Sequence, residues 1–274
     1  MQLSSLPAVV SSPQASEPFR FFVKLGYAVK GCVYGLLGVL AFRVGIGDGG
    51  RVAGEKEALR HVARQSFGDA ALIVIGAGLF FYALWRLVEA VFDPYRVGHS
   101  LRGVAQRTAA LVSAIGNGAF ALTAVQLALG EHGSGRSAHV WASLALREDY
   151  GPTLLVVLGA LFVSVGLFYA YEAISDKFCE HLDLARSSGA FRKYVLWSGR
   201  LGYLARGALF AIIGVAGIRA GQNLDPSEVK DLRQALASLT EQPFGQTLLV
   251  AAAAGLLAYA LHLVTTAPLR KLGA

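Results

Sequence analysis

Cysteine is almost missing from this chain, and charge is scarce. Two cysteines among 274 residues, Cys32 inside an apolar run and Cys179 in a basic stretch, cannot build a CxxC pair, a zinc set or a disulfide framework. Charged residues make up 16% of the chain and apolar residues 54%, whereas a soluble domain carries about a quarter of its residues as charged ones. That balance leaves too much apolar surface for a water-soluble fold to bury. The first nineteen residues have neither a charged leading region nor a long apolar stretch, so they do not read as a secretory signal. A disordered tail over 1–19 is the expectation. Catalytic signatures are missing as well. There is no GxSxG, Walker loop or GxGxxG after a strand, and His61, His132 and His139 have neither HxxxH nor HExxH spacing. These patterns name no catalytic, cofactor-binding or metal-binding residue, and no cofactor is expected.

What the chain does have is six runs of about 20 mostly apolar residues, the length needed to cross a hydrocarbon core of about 30 Å at about 1.5 Å per residue. They cover roughly 22–44, 70–92, 104–130, 152–174, 199–220 and 246–266. The net charge of +7 could suggest nucleic acid, but the basic residues sit between the apolar runs, with no nucleic-acid motif. They serve instead to orient the chain. One side collects twelve, including Arg20, Lys24, Arg102, Arg107, Lys177, Arg200, Arg270 and Lys271, against five acids. The other has eight against eleven acids. Short basic loops stay cytoplasmic, which places both termini in the cytoplasm; Arg43 and Arg219 run against the rule.

Self-comparison explains the number six. LGYAVKGCVYGLLGVLAFR at 25–43 aligns without gaps on LGYLARGALFAIIGVAGIR at 201–219. Lys30 falls on Arg206, so a cation recurs inside an apolar run. The second helix of the unit recurs three times, each after an aromatic-glycine pair: Phe67-Gly68, Tyr150-Gly151 and Phe244-Gly245. Gly76 then aligns with Gly159, Tyr82 with Tyr259, and Glu89 with Glu172. Before each pair lies a stretch of mixed polarity, such as 57–68, 139–151 and 228–245, which reads as a short amphipathic helix resting on the outer surface. The expected fold is therefore an all-α integral membrane protein, with six transmembrane helices as three parallel two-helix repeats around a pseudo-threefold axis. Repeat 1 spans 20–95, repeat 2 spans 96–178, repeat 3 spans 179–267, and a cytoplasmic tail covers 268–274.

Glycines within the spans permit close helix approach. Gly31, Gly35, Gly38, Gly76, Gly159, Gly207 and Gly214 are the expected packing positions. Ionisable residues inside spans are the default functional candidates, here Lys30, Arg86, Glu89, Glu172, Arg206 and His262. Counted from the start of the apolar runs they fall near the cytoplasmic helix ends, within reach of snorkelling. Lys30/Glu89 and Arg206/Glu172 pairs could pin helices together. His262 replaces Trp85 at the equivalent position and reads as a packing residue with its polar edge toward the headgroups.

The paired-helix repeat with G-Y-x-x-[KR]-G opening its first helix (Gly26-Tyr27…Lys30-Gly31 and Gly202-Tyr203…Arg206-Gly207) resembles domain of unknown function family 1206. The resemblance covers about 20–267. The middle copy departs from it, with Ala109-Ala110 and Ser113 in place of Gly-Tyr and the cation. It implies three tandem two-helix domains in a bacterial inner membrane and carries no activity. Mitochondrial carriers share the layout, but their P-x-[DE]-x-x-[KR] signature is missing here, and layout alone transfers no transport.

Three functions follow as expectations. The first is a non-catalytic membrane component, a scaffold or partner subunit, resting on glycine packing and a mid-membrane region without polar residues. The second is a transporter or channel for a small solute or ion along the axis. The third is an interfacial enzyme, which needs a lateral opening near His262 and Trp85. The expected partners are the lipid bilayer and other membrane proteins, without nucleic acid.

Overall fold

The computed structural model describes residues 17–50, 52–95, 98–131, 138–185 and 187–272. Of the expected tail, residues 17–19 already belong to the first helix, and 1–16 lie outside the described residues. Six long helices carry the apolar runs: α1 (Glu17–Gly45), α3 (Gly68–Phe92), α4 (Leu101–Ala128), α6 (Gly151–Ser175), α7 (Gly189–Asn223) and α9 (Gly245–Thr266). All six are long and apolar enough to cross a bilayer. Three short helices connect them in pairs: α2 (Glu55–Ala63), α5 (Ala138–Ala145) and α8 (Leu232–Thr240). The protein is thus a six-span membrane protein of three two-helix repeats, each with an amphipathic helix in the connection.

The long helices close into a ring in the order α1, α3, α4, α6, α7, α9, with α9 packed back on α1. The tightest seams join the second helix of one repeat to the first helix of the next, α3 to α4, α6 to α7 and α9 to α1. The thinnest seam is α4 against α6 inside the middle repeat, where Ala109 and Val112 meet Val165, Phe168 and Tyr169. Large apolar side chains on the outside of the ring, among them Phe80, Ile115, Leu122, Leu167 and Val215, are exposed. With no water in the hydrocarbon to favour their burial, they belong against lipid.

The aromatic-glycine motif has a steric cause. Each short helix turns directly into the next span, and its last carbonyls occupy the space of a side chain. A Cβ on Gly68 would lie 2.7 Å from Val62 O, and one on Gly245 would lie 2.6 Å from the Thr240 carbonyl carbon. Glycine alone admits that approach. The short helices begin on local caps: Asp231 and Gln234 exchange 2.8 Å bonds at α8, and Glu57 accepts from Gly54 N–H at α2. Rather than resting on the surface, α2 and α8 tuck inward, with Ala58, Leu59, Ala235 and Leu236 buried. On the face carrying the termini, α3 and α6 both end on an aspartate in the left-handed region, Asp93 and Asp176, a conformation that Asp tolerates better than most residues.

Candidate functional site

Three residues at one repeat position, Lys30, Ser113 and Arg206, all turn to the inside of the ring. Lys30 and Arg206 are buried, as is Ser113. Lys30 Nζ stands 3.5 Å from Ser113 Oγ and 4.0 Å from the centre of the Tyr82 ring. The Tyr82 hydroxyl meets Ser113 Oγ at 3.3 Å. Arg206 repeats the arrangement in the third copy, donating to the Tyr259 hydroxyl at 2.6 Å. The Tyr169, Phe210 and Tyr259 rings surround its guanidinium, Tyr169 at 4.6 Å. The two cations therefore lie in an aromatic cage. Among the described residues, neither has a carboxylate within 4 Å.

Their depth differs from the sequence expectation. Tyr82 lies about ten residues, roughly 15 Å, from the terminal-face end of α3 at Phe92, and Arg206 stands midway along α7. These cations are near the middle of their helices. The apolar runs mislead because α1 starts at Glu17 and α7 at Gly189, ahead of the hydrophobic stretches. A lysine or arginine at a helix centre costs at least about 2.5–3.5 kcal/mol on insertion scales. Cation–π contacts return roughly 0.5–2 kcal/mol each. The cage offsets part of the cost, and among the described residues no carboxylate lies within 4 Å of either cation to offset the rest.

The expected cation–acid pairs form differently. Glu89 is held by Arg86 rather than Lys30, at hydrogen-bond contact. Glu172 faces Arg102 at 3.5 Å rather than Arg206, and Arg102 also holds Glu180 at 2.7 Å. Both acids stand close to the terminal-face ends of α3 and α6. His262 is fully buried against Phe178 and Tyr203. Its Nδ1 points at Val195 O and Ser198 Oγ on α7, so its polar edge faces a helix, not headgroups. Trp85 is buried as well. The glycine candidates line the seams: a Cβ on Gly214 would fall 2.5 Å from Gly159 O, and one on Gly207 2.7 Å from Gly166 O. Gly31, Gly38 and Gly76 would meet neighbours below 3 Å, whereas Gly35 has ordinary room, 3.6 Å from Ala260 Cβ.

Two cavities approach the caged cations from opposite ends. The inner one, about 40 Å³, opens toward the terminal face and is lined by Arg86, Glu89, Tyr169, Arg206, Tyr259 and Arg270, among others. The outer one, about 10 Å³, is lined by Lys30, Tyr34, Glu55 and Asn117. A larger groove of about 700 Å³ beside α7 and α8 is lined by Arg219, Asn223 and Lys230 but by none of the caged groups.

Two participants escaped the sequence reading. Glu55, the first residue of α2, lines the outer cavity. Burial pushes its carboxyl up to about 7, against the pull of Lys30, Arg206 and the Tyr34 hydroxyl. Arg270, counted only as a tail charge, is pinned over the inner mouth. An antiparallel bridge joins Leu182 to Arg270, flanked by Asp183 N–H to Leu269 O at 2.8 Å and Lys271 N–H to His181 O at 2.9 Å. The Tyr95 hydroxyl donates to Lys271 O at 2.7 Å, and Arg270 stacks 3.8 Å above the Tyr27 ring. Beside it, burial pushes His181 down to about 4, so the ring is neutral at neutral pH.

Comparison with known proteins agrees with this repeat geometry. A protein of Bacillus subtilis (strain 168), an uncharacterized protein YxxB, is 30% identical over 92% of this chain and 91% of its own length. No solved structure matches. Three tandem segments, 25–93, 108–176 and 201–270, match one family, one for each helix pair of the ring. The chain belongs to the family described as Domain of Unknown Function (DUF1206).

Proposed function

We propose that the protein transports a small solute or ion along its pseudo-threefold axis, across a bacterial cytoplasmic membrane, with both termini in the cytoplasm. The observation that carries the reading is the pair of buried mid-helix cations, Lys30 and Arg206, between two cavities that approach them from opposite ends. Charged groups deep in a membrane bundle are costly, and a pathway or binding site is the usual reason for them. A scaffold would need only the glycine seams, and its premise of an apolar mid-membrane does not fit the caged cations. An interfacial enzyme acting beside Trp85 and His262 would need an opening where both side chains are buried. The basic excess of the terminal face supports its cytoplasmic placement, and the Bacillus subtilis relative supports a bacterial setting. The lipid bilayer is the immediate partner, and an association with other membrane proteins would use the same exposed apolar exterior.

Flux through proteoliposomes tests the reading. Labelled potassium, chloride and small neutral solutes are supplied in turn, and at least one is expected to cross faster than through protein-free liposomes. In the double variant Lys30→Ala, Arg206→Ala that flux falls. Unchanged flux in the variant would remove both residues from the mechanism.

Glu55 adds a pH signature. Its carboxyl is neutral below about 7 and negative above, facing Lys30 and Tyr34 from α1, Arg206 from α7 and Asp231 from the start of α8. Flux is expected to change between about pH 6 and pH 8 in the wild type, and Glu55→Gln flattens that profile. A variant profile that still follows the wild type would assign the transition to another group.

A further inference from the structure

The polar wall of the inner cavity narrows the class of solute. Its two acids each have an arginine beside them: Glu89 is bonded to Arg86, and Glu172 shares Arg102 with Glu180. Its other two arginines, Arg206 and Arg270, have no carboxylate within 4 Å among the described residues, and the Nε of each is buried without a hydrogen-bond partner. The Tyr169 hydroxyl, on the same wall, is also buried and unpartnered. Buried donors are normally satisfied, and an unmade bond of this kind costs about 1–3 kcal/mol. With Arg86 Nε, also unpartnered, four such donors surround one small space and share a missing partner, and that partner must accept hydrogen bonds.

Charge and size define it further. With His181 neutral, Arg86, Arg206 and Arg270 on the wall outnumber Glu89 and Glu172 by one positive charge, with the Lys30 ammonium in the next layer. A metal cation would be repelled. The cavity, about 40 Å³, holds about one or two water-sized groups, too little for a sugar phosphate or a nucleotide. Gln106 lines the wall as well, with Nε2 3.2 Å from His181 Nε2 and Oε1 unpartnered. An amide flip, with His181 donating from Nε2, would turn the Gln106 amide N–H groups inward as a further donor.

Resting on the transport reading, we infer that the inner cavity binds a small monovalent inorganic anion, of which chloride is representative. The anion sits between Arg206 and Arg270 and accepts from both Nε–H groups and from the Tyr169 hydroxyl. It is also a counter-charge in direct contact with Arg206, which has no carboxylate within 4 Å among the described residues, and it lies one layer below Lys30 on the way to the outer cavity. Because Arg270 belongs to the strap that Leu182 holds across the mouth, the site is complete only when that strap is in place.

Equilibrium binding of radiolabelled chloride to the full chain, purified in detergent, tests this apart from flux, with gluconate keeping the ionic strength constant. Saturable binding is expected in the wild type, together with a rise of the thermal unfolding midpoint as chloride increases. Arg206→Gln and Arg270→Gln should each weaken binding at least about tenfold, the loss expected for one hydrogen bond to a charged group. If Arg206→Gln fails to fold, Tyr169→Phe, which deletes a single oxygen, carries the test with a loss of several-fold. No saturable binding in the wild type, or wild-type affinity in the folded variants, would overturn the proposal. Chloride binding without flux of chloride, potassium or the neutral solutes would keep the site and remove the transport reading. Flux of a cation or a neutral solute without chloride binding would keep transport and remove the site.

Discussion

Replacing Lys30 and Arg206 together by methionine is expected to make the protein more stable and to reduce its flux to that of empty liposomes. The stability half follows from desolvation. Both cations are buried near the middle of their helices without a carboxylate partner, and exchanging buried charges for well-packed apolar side chains of similar volume typically gains about 1–4 kcal/mol. Methionine is flexible enough to fill the space among Tyr34, Tyr82, Tyr169 and Tyr259. Tyr82 and Ser113 keep each other as partners at 3.3 Å, so one hydroxyl, that of Tyr259, loses its donor. The functional half follows because the same two charges stand between the inner and the outer cavity. Residues retained at a cost to stability are those that serve a function. Thermal unfolding in detergent and flux in proteoliposomes are measured on the same preparation. A lower melting midpoint with intact flux would mean that the cations are structural pins.

The other large effect concerns assembly. Gly214→Leu should cost about 1–3 kcal/mol or more through overpacking, because even a Cβ there would fall 2.5 Å from Gly159 O and 2.6 Å from Val163 N. Both obstacles are backbone atoms of α6 and cannot rotate away, so α6 and α7 must separate along their whole seam. Gly35→Ala is the contrast, since its Cβ would make an ordinary 3.6 Å contact with Ala260. Chemical or thermal denaturation should show a marked fall for Gly214→Leu and a change of a few tenths of a kcal/mol for Gly35→Ala. Equal behaviour of the two variants would mean that the α6–α7 seam is looser than described.

The ring was legible in the sequence because it is written nearly three times. The aligned runs at 25–43 and 201–219 and the recurring aromatic-glycine pairs gave the six helices, the short amphipathic helices and the common direction of the repeats. The alignment also placed Lys30, Ser113 and Arg206 at one position, and their convergence follows from that symmetry once the ring closes. Depth was not legible. Hydropathy marks where apolar residues begin, whereas α1 and α7 continue beyond into polar sequence, so the cations stand at the middle of their helices rather than near the ends. Pairing was not legible either. Equal spacing along two helices does not say which acid a cation reaches across the seam, and Arg86 reaches Glu89 first as its i+3 neighbour. Glu55 and Arg270 were hidden for another reason. Each sits in a polar segment that looks like a connection, and only the inward tuck of α2 and the Leu182–Arg270 bridge bring them to the axis.

The proposed path runs along the axis from the inner cavity to the outer one, past the layer of Lys30 and Arg206. Single cysteines introduced at Tyr169 and Tyr34 in a Cys32→Ser, Cys179→Ser background test it, labelled in sealed vesicles of known orientation by a membrane-impermeant thiol reagent. The cysteine at 169 is expected to react only from the face carrying the termini and the one at 34 only from the opposite face, while a cysteine at the lipid-facing Leu122 stays unlabelled. Protection of both axial cysteines from both sides would contradict the account and leave a packed bundle in its place.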